Sequence, residues 1–344
     1  MRITNNMLTR NYLRGMNKNL SNLTKSNDKL SSQRSFSKAS ENVADANRAL
    51  RIRRLLTDNE RNQSTIEDTR NRFAAAEDSL RTLNTVIQNV TDKVTQGMSG
   101  TVNAEDREII SREITNLQEE VLTLSNAKFG DKYLFASAGN EKNTAPFTVN
   151  DTGKLIYNGN ATAVDDMVEN ANGKPATDNG DGTTTDISYN GTNYLDIGLG
   201  FETANGKVDT RTAIKSTLSG AEIFGFGTDA AGNPKNLHSL LGKISQDIKE
   251  GNTETLATDL SSLKKAHTNL LLHITDIGNT TSFADQIKTT LENDEVNLKA
   301  SQTSIEGVDL SEEIMYNKNF EMAWTVTLQL GSKILPQSIF DFLR

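Results

Sequence analysis

Apolar positions along this chain change their spacing twice: a helical pattern runs to about residue 135, a polar stretch follows to about 235, and a helical pattern returns. In the first block Leu13, Met16, Leu20, Leu23, Asn27 and Leu30 alternate by three and four. That spacing predicts the a/d seam of a coiled coil with one polar break. A second run follows through Ile52, Leu55, Asn59, Asn62, Ile66, Thr69, Phe73, Ala76, Leu80, Leu83, Ile87 and Val90, with Gly97 and Gly100 as its stop. Asn103 then reads as an N-cap, with Glu105 and Asp106 in the first turn, where negative charge suits the helix dipole. Ile110, Ile114, Leu117, Val121 and Leu124 share one face of the shorter helix beyond it.

The returning block is the most regular. Leu256, Leu263, Leu270, Ile277, Ala284, Leu291, Leu298 and Ile305 stand at strict sevens. A helix carrying all of them is about 75 Å long and needs a partner of similar length, for which 52–94 is the candidate. After Gly307, Asp309-Leu-Ser-Glu-Glu starts another helix, on which Phe320, Met322, Ala323, Trp324, Val326, Leu328, Leu330, Ile334 and Leu335 lie on all sides. A helix apolar all round is buried in something. Between the helical blocks, Leu155-Ile-Tyr157 before Asn158-Gly159 and Ile187-Ser-Tyr189 before Asn190-Gly191 are hairpin signals, and Tyr194–Phe201 alternates. The predicted fold is mainly α with an inserted β-rich domain, a long antiparallel coiled-coil or helical-bundle rod built from the N- and C-terminal segments.

Composition narrows the function. Apolar residues make up 35% of the 344 and aromatics 6%, which fits a thin body better than one large core. Cysteine is absent, so disulfides, thiolate metal sites and Cys nucleophiles are excluded. No apolar run is long enough to span a membrane. The start, Met1-Arg-Ile-Thr-Asn-Asn-Met-Leu8, has no apolar h-region, so Sec-type export is not expected. The net charge is −8, yet residues 1–60 carry 12 Lys and Arg against 5 Asp and Glu. Only Tyr12 and Phe36 offer rings there and the charges are spread along helical pattern, so nucleic acid is not the expected partner.

Catalytic chemistry finds no footing. His238, His267 and His273 form no metal-binding pair, and His267 reads as a polar break in a seam. Phosphate-cradling glycine motifs are missing. Asp178-Asn-Gly-Asp-Gly-Thr183 lacks the later Glu of a calcium loop and reads as a solvated turn. The expectation is a non-enzymatic protein with no catalytic residue, cofactor or metal. Arg48, Arg51, Arg53 and Arg54 allow two readings: a solvated basic face, or a bidentate site for carboxylates of an adjacent subunit.

The two ends carry a family resemblance. Leu30-Ser-Ser-Gln33 and Ala49-Leu-Arg-Ile-Arg53 resemble the N-terminal signature of the flagellin superfamily, most closely its hook-associated protein 3 branch. That branch has Gly where Gln33 stands, and a Pro-flanked acidic turn where Ala39-Ser-Glu-Asn-Val43 stands. Lys132-Tyr-Leu-Phe135 with Pro146-Phe147, and the ending Leu335-Pro-Gln-Ser-Ile-Phe-Asp-Phe-Leu-Arg344, are similar to further family segments. The resemblance covers about 1–150 and 236–344.

It implies a layered subunit: 1–44 and 306–344 as terminal helices of an inner assembly layer, 45–135 and 236–305 as a helical bundle, and 136–235 as an outward-facing variable domain. It also implies an extracellular place at the flagellar hook–filament junction, reached by type III export. The implied partners are the first hook-associated protein, flagellin, copies of the chain in a ring, and a cytoplasmic export chaperone on the C-terminal helix, with no nucleic acid and no membrane. Leu13, Leu20, Leu30, Arg51, Arg53, Arg54, Phe320, Trp324, Leu328, Ile334, Phe340, Phe342 and Leu343 are the expected subunit contacts. A major filament subunit shares this end architecture, and an adhesive or glycan-binding module carried by 136–235 is the reading from another class.

Overall fold

The structure is a computed structural model that describes residues 2–99, 102–138, 144–151, 153–187, 193–196, 203–204, 207–208, 213–230 and 232–334. Seven helices dominate it: α1 (Arg2–Ser32), α2 (Val43–Gly97), α3 (Ala104–Ser125), α4 (Gly220–Phe224), α5 (Leu237–Glu250), α6 (Thr253–Glu306) and α7 (Leu310–Ile334). Short antiparallel strands lie between α3 and α4. The fold is mainly α with an inserted β-rich region, as the three regimes predict. The chain divides into two compact units, Arg61–Leu291 and Met1–Glu60 with Glu292–Arg344. None of the described helices is long and apolar enough to cross a membrane.

The larger unit is organised by α2 and α6, which run antiparallel. Gln63 Nε2 donates to Leu291 O at 3.3 Å, Lys288 meets Glu67 at 3.4 Å, and His267 Nε2 meets Asn84 Oδ1 at 2.6 Å. As one residue number rises its partner's falls, which is the signature of opposed directions. His267 is thus a polar break in the seam. Leu256, Leu263, Leu270, Ile277, Ala284 and Leu291 are all buried, facing Ile66, Phe73, Ala76, Leu80, Leu83, Ile87 and Val90.

The predicted seam slips at Leu55, which is 46% exposed while Leu56 is 8% exposed. One residue is about 100° of helix rotation, so the face of α2 turned inward there is not the one the apolar count marks.

α3 starts at its predicted cap: Asn103 Oδ1 accepts the Asp106 N–H at 2.8 Å. It packs tightly and antiparallel on α5, with Ser111 and Ser245 hydroxyls 2.9 Å apart and Gln118 Nε2 donating to His238 O at 3.0 Å. Small side chains at the crossing let the two backbones approach. Lys243 of α5 reaches the buried Asp259 of α6 at 2.6 Å and Asp247 at 2.9 Å, tying α5 to α6.

The β-rich region is built on an aromatic knot. Phe135 and Phe224 meet edge to face with centroids 5.2 Å apart, and Phe147 lies 5.4 Å from Phe224 and 5.0 Å from Tyr157. The Tyr157 hydroxyl donates to Phe135 O at 2.8 Å and accepts the Gly220 N–H at 3.0 Å. Strand pairing is local: β1 (Lys128–Phe129) with β2 (Lys132–Tyr133), β3 (Phe147–Val149) with β4 (Leu155–Tyr157), and β5 (Val168–Glu169) with β6 (Pro175–Asp178) and β7 (Thr184–Asp186). β8 (Tyr194–Asp196) pairs with β11 (Ala213–Lys215), and β9 (Thr203–Ala204) with β10 (Lys207–Val208).

Leu155–Tyr157 is a strand, but its hairpin partner precedes it. The turn is closed by Asn150, whose N–H donates to Lys154 O at 2.9 Å. Asn158 and Gly159 both take positive φ, as their hairpin signal predicts, yet they lead only to an isolated bridge between Ile156 and Ala163. The second signal lies mostly outside the described residues: Ser188–Gly191 are not described, nor are 197–201 of the alternating segment. Asp178–Thr183 forms a turn in which Asp178 and Asp181 carboxylates accept their own neighbours' N–H groups.

Candidate assembly surfaces

The smaller unit joins α1 to α7, also antiparallel, through a seam one residue away from the predicted one. On α1 the inward positions are Thr9, Tyr12, Met16, Asn19, Leu23, Ser26 and Leu30, which keep Met16, Leu23 and Leu30 but replace Leu13, Leu20 and Asn27. Leu13 and Leu20 are 39% and 43% exposed, whereas Ser26 is 2% exposed. On α7 the seam is Glu313, Asn317, Phe320, Trp324, Thr327 and Gly331, again alternating by four and three.

Hydrogen bonds decide this register. The Tyr12 hydroxyl donates to Thr327 O at 2.8 Å and Asn19 Nδ2 to Thr327 Oγ1 at 2.8 Å. Asn317 Nδ2 donates to Asn27 Oδ1 at 2.8 Å and to Ser26 Oγ at 3.3 Å, and Lys29 pairs with Glu313 at 3.6 Å. Gly331 leaves room for the Tyr12 ring, since a Cβ there would overlap its hydroxyl. The seam therefore mixes hydrogen-bonded polar groups with Met16, Leu23, Leu30, Phe320 and Trp324, while further apolar side chains face outward. Ile314, Met315, Met322, Val326, Leu328 and Leu330 of α7 are each 47% exposed or more.

Of the expected contact residues, Leu13, Leu20 and Leu328 are exposed, while Leu30, Phe320 and Trp324 are half-buried in the seam. The Ile334 side chain and Phe340, Phe342 and Leu343 lie outside the described residues.

The arginine cluster divides. Arg53 turns inward and donates from Nη2 to Glu306 Oε2 at 2.7 Å, Arg34 lies 3.8 Å from the same oxygen, and Gln302 approaches Oε1 at 3.5 Å. Burial by itself would raise the Glu306 carboxyl, but the Arg53 hydrogen bond and charge, with Gln302 and Arg34, hold it below the ordinary carboxylate range. Arg48 pairs with Asp45 at 3.4 Å. Arg51 and Arg54 are exposed and make no ion pair among the described residues.

Glu306 also anchors the chain around it. Ser35 N–H donates to Glu306 O at 2.8 Å and Val308 N–H to Gln33 O at 3.2 Å, so the α1–α2 and α6–α7 connections form one bridged unit through Arg34 and Gly307. Gln33 takes φ +56, the left-handed region that favours glycine, at the position where the family signature has Gly. Where that signature has a Pro-flanked acidic turn, Glu41 accepts the Ser37 N–H at 2.9 Å, and Asn42 accepts the Asp45 N–H at 3.2 Å to start α2. Glu306, Asn317 and Gly331 are contacts the apolar spacing could not reveal, although Tyr12, Asn19 and Ser26 stand at sevens of their own.

Residues 3–140 match the family model of the bacterial flagellin N-terminal helical region. The match covers the N-terminal part of the chain, where α1, α2 and α3 lie. The fold is shared with a Vibrio parahaemolyticus structure provisionally named a flagellar hook-associated protein, at 15% identity, with a TM-score of 0.57, covering 78% of this chain and 100% of that one. FlgL from Bacillus cereus aligns at 18% identity over 74% of this chain and 99% of its own, with a TM-score of 0.49. The flagellar junction protein FlgL from Legionella pneumophila aligns at 13% identity over 68% of this chain and 98% of its own, with a TM-score of 0.43. No curated protein sequence matches the chain. The family match supports the resemblance of residues 3–140 to the flagellin N-terminal region, and the likeness to the Vibrio parahaemolyticus structure is one of fold.

Proposed function

We propose that this chain is a structural subunit of the bacterial flagellum that joins hook to filament, assembling through α1 and α7. The observation that carries the reading is the outer face of this helix pair: polar groups share its seam with a few apolar residues, while leucines, methionines and a valine are left exposed. Exposed apolar surface of this kind marks an interface. Copies of the chain in a ring, the first hook-associated protein and flagellin are the partners that would bury it. Terminal helices 1–44 and 306–344 form the inner layer, 45–135 and 236–305 the bundle around it, and 136–235 faces outward. Export is through the type III apparatus, with a chaperone holding α7 beforehand, and the role is non-enzymatic.

Deleting the gene in its source bacterium tests the junction role. Hooks without filaments and unpolymerised flagellin in the medium are the expected outcome; hookless cells, or filaments of normal number, would sink it. The flagellin match over residues 3–140 also fits a major filament subunit. Seeding purified chain onto filament fragments separates the two, because a filament subunit elongates them and a junction subunit does not.

A further inference from the structure

Asparagine followed by glycine occurs at 158, 172, 179, 190 and 205, and the last two pairs lie outside the described residues. In such a pair the glycine nitrogen can attack the asparagine side-chain carbonyl, because glycine has no Cβ to obstruct the approach. The three described pairs meet different surroundings. Asn158 is 8% exposed and its Nδ2 donates to Ala136 O at 2.7 Å, so water has little access and the amide nitrogen is tied down. Asn172 is exposed, but the Gly173 N–H donates to Asn170 O at 2.9 Å, a carbonyl that takes no proton.

Asn179 lies in the exposed β6–β7 turn, where each reacting group has a partner suited to the reaction. The Gly180 N–H donates to Asp178 Oδ1 at 2.9 Å, so a carboxylate base sits on the nucleophile. The Thr185 hydroxyl donates to Asn179 Oδ1 at 3.0 Å, on the carbonyl oxygen where negative charge develops. Asn179 Nδ2 donates to Thr183 Oγ1 at 2.9 Å and the Asn179 N–H to Thr183 O at 3.1 Å, which fixes the side chain relative to its own main chain. Gly180 takes φ +77, and no other part of the chain stands within 4 Å of where its Cβ would be.

We propose that Asn179 is a self-modification site. The Gly180 nitrogen forms a bond to Asn179 Cγ and gives its proton to Asp178. The Cγ–Nδ2 bond breaks, and Nδ2 takes a proton through water and leaves as ammonia. The cyclic imide that results adds water at either carbonyl, giving aspartate or isoaspartate at 179. Either product alters the turn. Aspartate places a new negative charge between Asp178 and Asp181. Isoaspartate adds a methylene to the main chain, which breaks the pairing of Asp178 with Thr184. The reaction belongs to the larger unit and does not depend on the assembly role of α1 and α7.

The test is peptide mapping by mass spectrometry, with fragmentation that separates isoaspartate from aspartate. The purified full chain is incubated at neutral pH, in buffer and in guanidinium chloride. In denaturant the three pairs should convert at similar rates, since only the Asn-Gly sequence remains. In buffer Asn158 and Asn172 should slow, while Asn179 should convert faster than when unfolded and about tenfold faster than Asn172. Asp178→Ser, whose hydroxyl keeps a bond to the Gly180 N–H without being a base, should slow Asn179 by about tenfold. Thr185→Val should slow it as well, through loss of the hydrogen bond to the carbonyl oxygen. Conversion of Asn179 no faster folded than unfolded, equal rates at Asn179 and Asn172 in buffer, or an Asp178→Ser variant as fast as the parent would each overturn the proposal. Filament formation should be the same for Asn179→Ala as for the parent, so the junction role and this reaction fail separately.

Discussion

Glu306 shows how one carboxylate can govern a connection. It is 5% exposed and serves Arg53, Arg34 and Gln302 while its own carbonyl receives Ser35. Its folded pKa is lowered below the unfolded value near 4.3, so its contribution is present above that pH and is lost as pH falls through the folded value. Amide shifts of Ser35 and Val308 should therefore hold steady from neutral pH through the ordinary carboxylate range and change only below it. Glu306→Gln should abolish that step. Arg53→Met should cost about 1–2 kcal/mol at neutral pH, less than for a fully buried pair, because Arg53 is half-exposed and Arg34 remains. Gln33 makes the complementary case. Replacing it with Gly removes the left-handed penalty and should stabilise the bridge by about 0.5–1 kcal/mol, read as slower exchange of the Val308 N–H. The departure from the family's Gly at Gln33 was legible in the sequence; the Glu306 hub was not, because its arginine partners lie more than 250 residues away.

Helices were legible as helices, but which face each one buries was not always so. For α2 from Ile66 to Val90 and α6 from Leu256 to Leu291 the apolar positions at sevens are the buried ones, because apolar side chains fill both sides of that seam. For α1 the same rule points to Leu13 and Leu20, and a single-residue shift, about 100° around the helix, puts Tyr12 and Asn19 inside instead. Apolar counting cannot foresee a seam in which Tyr12, Asn19 and Ser26 find hydrogen-bond partners on the facing helix. The consequence is separable. Leu13→Gln with Leu20→Gln should change the melting of the isolated chain little, within about 0.5 kcal/mol per site, while blocking incorporation into the flagellum. Gly331→Ala should do the reverse of a surface change: Tyr12 must leave Thr327 O, at a cost of about 1 kcal/mol, seen as faster exchange along α7. Strands of two to four residues could be read as β-rich, with Leu155–Tyr157 among them, but are too short to show which pair, so β3 with β4 emerged only in three dimensions.

At the scale of the whole chain, burial is distributed very unevenly between the two units. Among the described residues, the buried apolar side chains of the smaller unit are Ala46, Ala49 and Leu56, all on α2; α1 and α7 supply none. The larger unit carries the continuous cluster from Ile66 to Leu291. Local stability follows buried apolar contact, and the last turns of a helix pair held mainly by solvent-competing hydrogen bonds open readily. Hydrogen exchange on the isolated chain should therefore find α1 and α7 opening at low free energy, while 66–94 and 256–291 exchange only through global unfolding. Calorimetry should resolve two transitions, the lower one altered by Tyr12→Phe and Asn317→Ala and the upper one unaffected. On the assembly role proposed above, incorporation should protect α1 and α7 by covering Leu13, Leu20, Met322 and Leu328, which are exposed in the single chain. Equal protection of the end helices and the 66–94 core in the free chain would mean that α1 and α7 need no neighbours to be stable, and the coupling of their ordering to assembly would be wrong.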